Sequence, residues 1–123
     1  MEHMRVTFGV KRIYEPPADD DGYRVLVDRL WPRGLAKAEA AVDLWLKDVA
    51  PSTELRKEFN HRPERFADFS ARYRHELDFN PAVPALLDLA AAHRHVTLLY
   101  AARDTEANHA RVLLDYVLGR RAG

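Results

Sequence analysis

Apolar residues along the chain switch between two periods. Val6, Phe8 and Val10 alternate with Thr7 and Gly9, the period-two mark of a strand. The continuous run Val25-Leu26-Val27, within a strand predicted over residues 23–28, lacks that alternation, and so does residues 96–101; both read as strands buried on two faces. Val42, Leu44 and Leu46 alternate again, so residues 41–46 form either a half-exposed strand or a short helix. Helical spacing takes over elsewhere. Ser52 after Pro51 suits an N-cap for a short helix carrying Leu55 and Phe59. Pro63 suits a first helical position, ahead of the stripe Phe66, Phe69, Tyr73 and Leu77. Asn80-Pro81 opens a third helix with Val83, Leu86, Leu87 and Ala91, and Pro84 is tolerated there because it falls in the first turn. Asp104 is the expected cap of a last helix whose Ala110, Leu113, Leu114 and Val117 face the core and which ends near Gly119. The turn-rich stretch over residues 15–22 reads as a loop with a solvated acidic run. This order predicts one α/β domain over residues 1–123, a mainly parallel central sheet flanked by helices on both faces, with residues 1–4 a loose N-terminal extension.

Composition narrows the classes of function. With 123 residues the chain suits one domain with its own core, and 47% apolar content excludes a disordered class. Nineteen basic residues balance nineteen acidic ones, so no global field draws the protein to nucleic acid or to an anionic membrane. The absence of cysteine excludes a thiol nucleophile and thiolate metal sites, and agrees with a reducing compartment. No apolar leader core and no membrane-length run occur, so the cytoplasm is the expected location. The five glycines are scattered and form no phosphate-cradling loop. His93 and His95 read as turn residues. Neither a cofactor nor a metal is expected.

The segment Asp28-Arg29-Leu30-Trp31-Pro32-Arg33-Gly34 is the chief candidate for a site. It follows a buried strand, and open α/β sheets place ligands at the carboxyl ends of their strands. A turn alone asks for small polar residues, whereas guanidinium forks suit phosphate or carboxylate and an indole can stack on a ring. If the strands at Val25 and Val96 are parallel neighbours, the loop with Arg29, Trp31 and Arg33 shares a rim with Arg103, Asp104, Asn108 and His109. Structural duties compete at each position: a carboxylate partner for Arg29, core packing for Trp31, capping for Asp104. Ser52, Arg56, His61, Tyr73 and Glu76 are further residues whose place relative to the rim stays open; capping explains Ser52 and His61, and the apolar stripe explains Tyr73.

A family resemblance rests on these same segments. Val10-Lys11-Arg12-Ile13-Tyr14, the stretch from Asp21-Gly22-Tyr23 through the motif ending at Gly34, and Trp45-Leu46-Lys47-Asp48-Val49-Ala50-Pro51-Ser52 resemble the YeaO-like family. So do Leu55-Arg56, His61, Tyr73 with Glu76-Leu77, and Thr97-Leu98-Leu99-Tyr100-Ala101-Ala102-Arg103-Asp104 with Asn108-His109-Ala110. The resemblance spans residues 10–118. That family is of unknown function, so the resemblance implies membership without an activity. The chain carries neither a helix-turn-helix nor a glycine-rich methyl-donor loop.

Two functions from different classes follow. In the first, a small enzyme or binding domain takes an anionic, phosphate-bearing or nucleotide-like small molecule. Arg29, Arg33, Arg103 and Asn108 would hold it, Trp31 would pack on its apolar part, and Asp104 or His109 would move a proton. In the second, a non-catalytic module binds nucleic acid or a protein through exposed arginine and aromatic groups. Zero net charge disfavours tight non-specific nucleic-acid binding. A concave pocket would favour the first, a broad basic face the second.

Overall fold

The computed structural model describes residues 6–122, so the expected N-terminal extension over residues 1–4 lies outside the described residues. Four strands make one sheet: β1 (Thr7–Arg12), β2 (Tyr23–Leu26), β3 (Leu44–Trp45) and β4 (His95–Tyr100). Their order is β1-β4-β2-β3 and every pairing is parallel. β4 lies in the interior, registered from Thr7↔His95 to Arg12↔Tyr100 on one side and from Tyr23↔Val96 to Leu26↔Leu99 on the other. The two continuous apolar runs are therefore the two inner strands, as their lack of alternation requires. Of the alternating stretch over residues 41–46, the strand is the form adopted, though only Leu44–Trp45 pairs.

Alternation along the inner strands divides the core. Val25, Val27, Val96, Leu98 and Tyr100 join the larger cluster, while Leu26 and Leu99 join a smaller one on the other face. The larger cluster is covered by helices α2 (Thr53–Phe59), α3 (Phe66–Asp78), α4 (Ala82–His93) and α5 (His109–Ala122), numbered after the short α1 (Lys37–Ala40). Phe69, Tyr73 and Leu77, four residues apart, form the buried stripe of α3. The second face has thinner cover, made by Ala40 of α1 with Ile13, Trp31, Leu35, Val42 and Trp45. Helices thus lie on both faces, but unequally. No described helix is long and apolar enough to cross a membrane.

Three local expectations change. The acidic run before β2 is not wholly solvated, because Asp21 is buried between Lys11 Nζ at 3.0 Å and the guanidinium of Arg24. Arg24, 4% exposed, also donates to the Ala40 and Ala41 carbonyls, which ties α1 to β2. Gly22 beside it has φ +65°, and a Cβ there would meet the His95 carbonyl oxygen at 2.5 Å, so only glycine suits this close approach. The last helix starts later than expected: Asn108, not Asp104, caps it, accepting from the Arg111 amide at 3.0 Å. It also continues past Gly119 to Ala122, where Arg120 holds the last turns by donating to the Tyr116 hydroxyl at 2.7 Å.

Candidate functional site

Because β2 and β4 are parallel neighbours, the loops leaving their carboxyl ends emerge on one rim. A cavity of about 790 Å3 opens there, with α2 as its third wall. The β2 loop contributes Asp28, Arg29 and Leu30, and the β4 loop contributes Ala101, Ala102, Arg103 and Asp104. Arg56, Lys57, Asn60 and His61 come from α2 and the turn after it, with Phe59 and Phe69 behind them. Asn108 and His109 complete the wall where α5 begins.

Asp28 joins the two strand ends. Its Oδ2 accepts the Ala101 amide at 3.1 Å, and its carbonyl accepts the Trp45 indole N–H at 2.8 Å. The Nε2 of His109 lies 2.9 Å from Asp28 Oδ1 and 3.2 Å from the Val27 carbonyl oxygen. Both neighbours are acceptors, so Nε2 carries the proton in this arrangement. Its hydrogen-bond geometry favours the carbonyl; Oδ1 is buried with a charge-pairing neighbour but no well-directed donor.

Arg29 turns inward. Its Nη2 donates to the Ala50 and Pro51 carbonyls at 3.2 and 3.3 Å, while Nε is buried without a partner among the described residues. This guanidinium fastens the β2 loop to the segment that enters α2. Arg12 does the same for the β4 loop, its Nε donating to the Ala102 carbonyl at 2.9 Å. By contrast, Arg56, Lys57 and Arg103 form no ion pair or side-chain hydrogen bond among the described residues. The wall therefore carries four full cations against two carboxylates, in a protein with no net charge.

The structure separates the residues expected at the rim. Arg29, Arg103, Asp104, Asn108 and His109 share the cavity; Trp31 and Arg33 are not part of its wall. The chain bends at Arg29 and Leu30, and beyond that bend Trp31 lies on the other sheet face, where it packs edge-on to Trp45 with centroids 5.5 Å apart and donates to the Leu35 carbonyl. Burying the indole with its N–H partnered is a core duty. Arg33 is exposed, and its carbonyl accepts from the Tyr14 hydroxyl at 3.0 Å.

Asn108 is 2% exposed and uses both ends of its carboxamide, donating to the Asp104 carbonyl and accepting from Arg111. It shapes the loop with both polar atoms of its carboxamide. Asp104 accepts the Ala107 and Glu106 amides, which hold its carboxyl below the ordinary carboxylate range. Such a group stays ionised near neutrality and is a poor proton shuttle. His61, His109 and Asp104 all face the cavity, yet no three metal-ligating side chains gather as a metal site among the described residues.

Ser52 and Glu76 stand behind the α2 wall. The serine Oγ accepts the Leu55 amide at 3.2 Å and donates to Glu76 Oε2 at 2.6 Å, while Glu76 Oε1 accepts the Ser52 amide. Ser52 is a helix cap held by a carboxylate on α3. Replacing it with alanine is expected to lower stability by about 1–2 kcal/mol, read as a shifted urea midpoint with unchanged slope. Tyr73 is core, as its stripe position implied. Its hydroxyl donates to the Val49 carbonyl at 2.7 Å, and burial, with Glu76 and Asp28 nearby, pushes its ionisation far above the usual range.

Comparison with known proteins agrees with the resemblance seen in the motifs. A family model described as "Inactive DUF488-N3 subclade" matches residues 7–122. The uncharacterised protein YeaO of Escherichia coli strain K12 is 46% identical over 107 residues, covering 87% of this chain and 93% of its own length. The uncharacterised protein Rv3073c of Mycobacterium tuberculosis strain H37Rv is 46% identical over 111 residues, covering 90% and 93%. No solved structure matches the chain. The chain belongs to the inactive DUF488-N3 subclade, the family of YeaO and its mycobacterial relatives.

Proposed function

We propose that the domain binds a small anionic molecule of the phosphate-bearing class in the cavity between β2, β4 and α2, and holds it without turning it over. The observation that carries this reading is the uncompensated charge of the wall: Arg56, Lys57 and Arg103 have no ion-pair partner among the described residues and share one concave space with Arg29. Unpaired guanidinium groups that converge on a concave site favour phosphate oxygens. A concave site of this size suits a small molecule better than a broad nucleic-acid face. Catalysis has less support. Asp104 is fixed as an ionised loop acceptor, the Nε2 proton of His109 faces the Val27 carbonyl and Asp28, and the family description carries the word inactive.

The test is a double replacement, Arg56→Ala with Arg103→Ala. Neither side chain has a hydrogen-bond or ion-pair partner among the described residues, so stability should change by no more than about 0.5 kcal/mol for each. Binding of ribose 5-phosphate, followed by calorimetry at low salt, should weaken by roughly 10–100-fold, the loss expected for removing charged hydrogen bonds. Added salt should weaken the wild-type complex further. Arg33→Ala is the control, and neither melting nor binding should move. An undiminished affinity in the double variant would place the anion elsewhere.

A further inference from the structure

The cavity is far larger than an inorganic anion needs, and Leu30, Ala50, Pro51, Phe59 and Phe69 give its wall an apolar part. Its volume of about 790 Å3 falls within the range that encloses a drug-sized molecule. Leu30 lies at this wall although 65% exposed, a large apolar side chain that the core does not use. Phe59 and Phe69, stacked with centroids 4.4 Å apart, back the same space.

The turn that closes α2 adds a second observation. Asn60 and His61 both take left-handed backbone conformations, with φ of 47° and 54°. Asn60 is explained by the helix end, since its amide donates to the Arg56 carbonyl. His61 follows it as the second central residue of a turn closed by the Arg62 amide, which donates to the Phe59 carbonyl at 3.0 Å. It is exposed, its side chain makes no hydrogen bond among the described residues, and its ring stands at the cavity wall with its centroid 6.2 Å from that of Phe59. An imidazole kept there offers a flat face beside the basic groups of α2.

We propose that the occupant is bipartite: an anionic group held by the basic wall is joined to a planar heterocycle that packs against His61 and Leu30. The chemical class that fits is a nucleoside monophosphate. His61 and Leu30 thus take the ring-packing role that the sequence offered to Trp31. This inference rests on the anion-binding reading above and adds a ring requirement to it.

Calorimetric titration with the four common nucleoside 5′-monophosphates, ribose 5-phosphate and inorganic phosphate tests it. At least one nucleotide should bind tenfold or more tightly than ribose 5-phosphate. His61→Gly suits the left-handed backbone and should not impair folding. It should erase most of that margin while leaving ribose 5-phosphate affinity unchanged, and Leu30→Ser should act in the same direction. If ribose 5-phosphate binds as well as every nucleotide, or if His61→Gly keeps the full margin, the ring assignment is wrong and the anion reading stands. If none of the phosphates binds, the anion reading itself fails and takes this inference with it.

Discussion

Replacing Asp21 with alanine will destabilise the domain by about 3 kcal/mol, at the lower end of the range for breaking a buried charge pair. The variant leaves Arg24 almost fully buried, with its charge uncompensated and only the Ala40 and Ala41 carbonyls as acceptors. Those two bonds set the lower figure. Lys11 also loses its carboxylate at 3.0 Å, but its chain end keeps the Pro16 carbonyl. For a domain stabilised by roughly 5–15 kcal/mol, this is a large share, visible in a urea midpoint. A change below about 1 kcal/mol would mean that the ion cluster contributes little.

Acid should act through the same group. Burial alone would raise the Asp21 carboxyl, but the Ala18 amide, Lys11 and Arg24 outweigh it and hold the group below its ordinary value of 3.8. A carboxyl depressed in the folded state contributes stability above its unfolded pKa and loses it as pH falls through the folded value. Unfolding free energy should therefore drop below about pH 4 in the wild type, and part of that slope should be missing in the alanine variant.

Asp21 also shows why part of this molecule was illegible in its sequence. Within Asp19-Asp20-Asp21 nothing local distinguishes the buried carboxylate from its two solvated neighbours. The distinction arises from Lys11 on β1 and Arg24 on β2, which meet it only after the sheet forms. The inner strands were legible because two-sided burial removes the polar alternation from residues 25–27 and 96–99. Their parallel pairing then brings Arg29 and Arg103 to one cavity. Trp31 and Arg33 share the motif with Arg29 but fall beyond the bend that sends the chain to the second face. A contiguous motif thus divides between a rim and a core. Asp104 and Asn108 are both competent caps four residues apart, and only the packing of Ala110, Leu113 and Val117 selects the second. The basic residues of α2 gave a weaker signal still, because their facing the rim depends on how α2 packs on α3. The αL conformation of His61 cannot be read from residue type.

At the rim, two replacements of Asp28 should move anion binding in opposite directions. Asp28→Ala removes the acceptor of the Ala101 amide and the partner of His109 Nε2, so the ends of β2 and β4 lose their side-chain tie. The cost should be about 1–3 kcal/mol, the penalty for a buried donor left unsatisfied. A double-mutant cycle with His109→Ala should return a coupling of about 0.5–3 kcal/mol, as for side chains in direct contact. Asp28→Asn keeps a carboxamide oxygen able to accept the Ala101 amide while it removes one of the two negative charges in the wall. Electrostatics alone predicts tighter binding of ribose 5-phosphate in both variants, since each deletes an anion beside the basic groups. A tie that shapes the cavity predicts tighter binding in Asp28→Asn and weaker binding in Asp28→Ala, where Arg29 and Arg103 lose their fixed separation. The second pattern is expected, because Asp28 fastens both loops through side chain and backbone. Tighter binding in both would reduce Asp28 to a local charge, and would leave Arg12 and Arg29 as the groups that hold the rim in place.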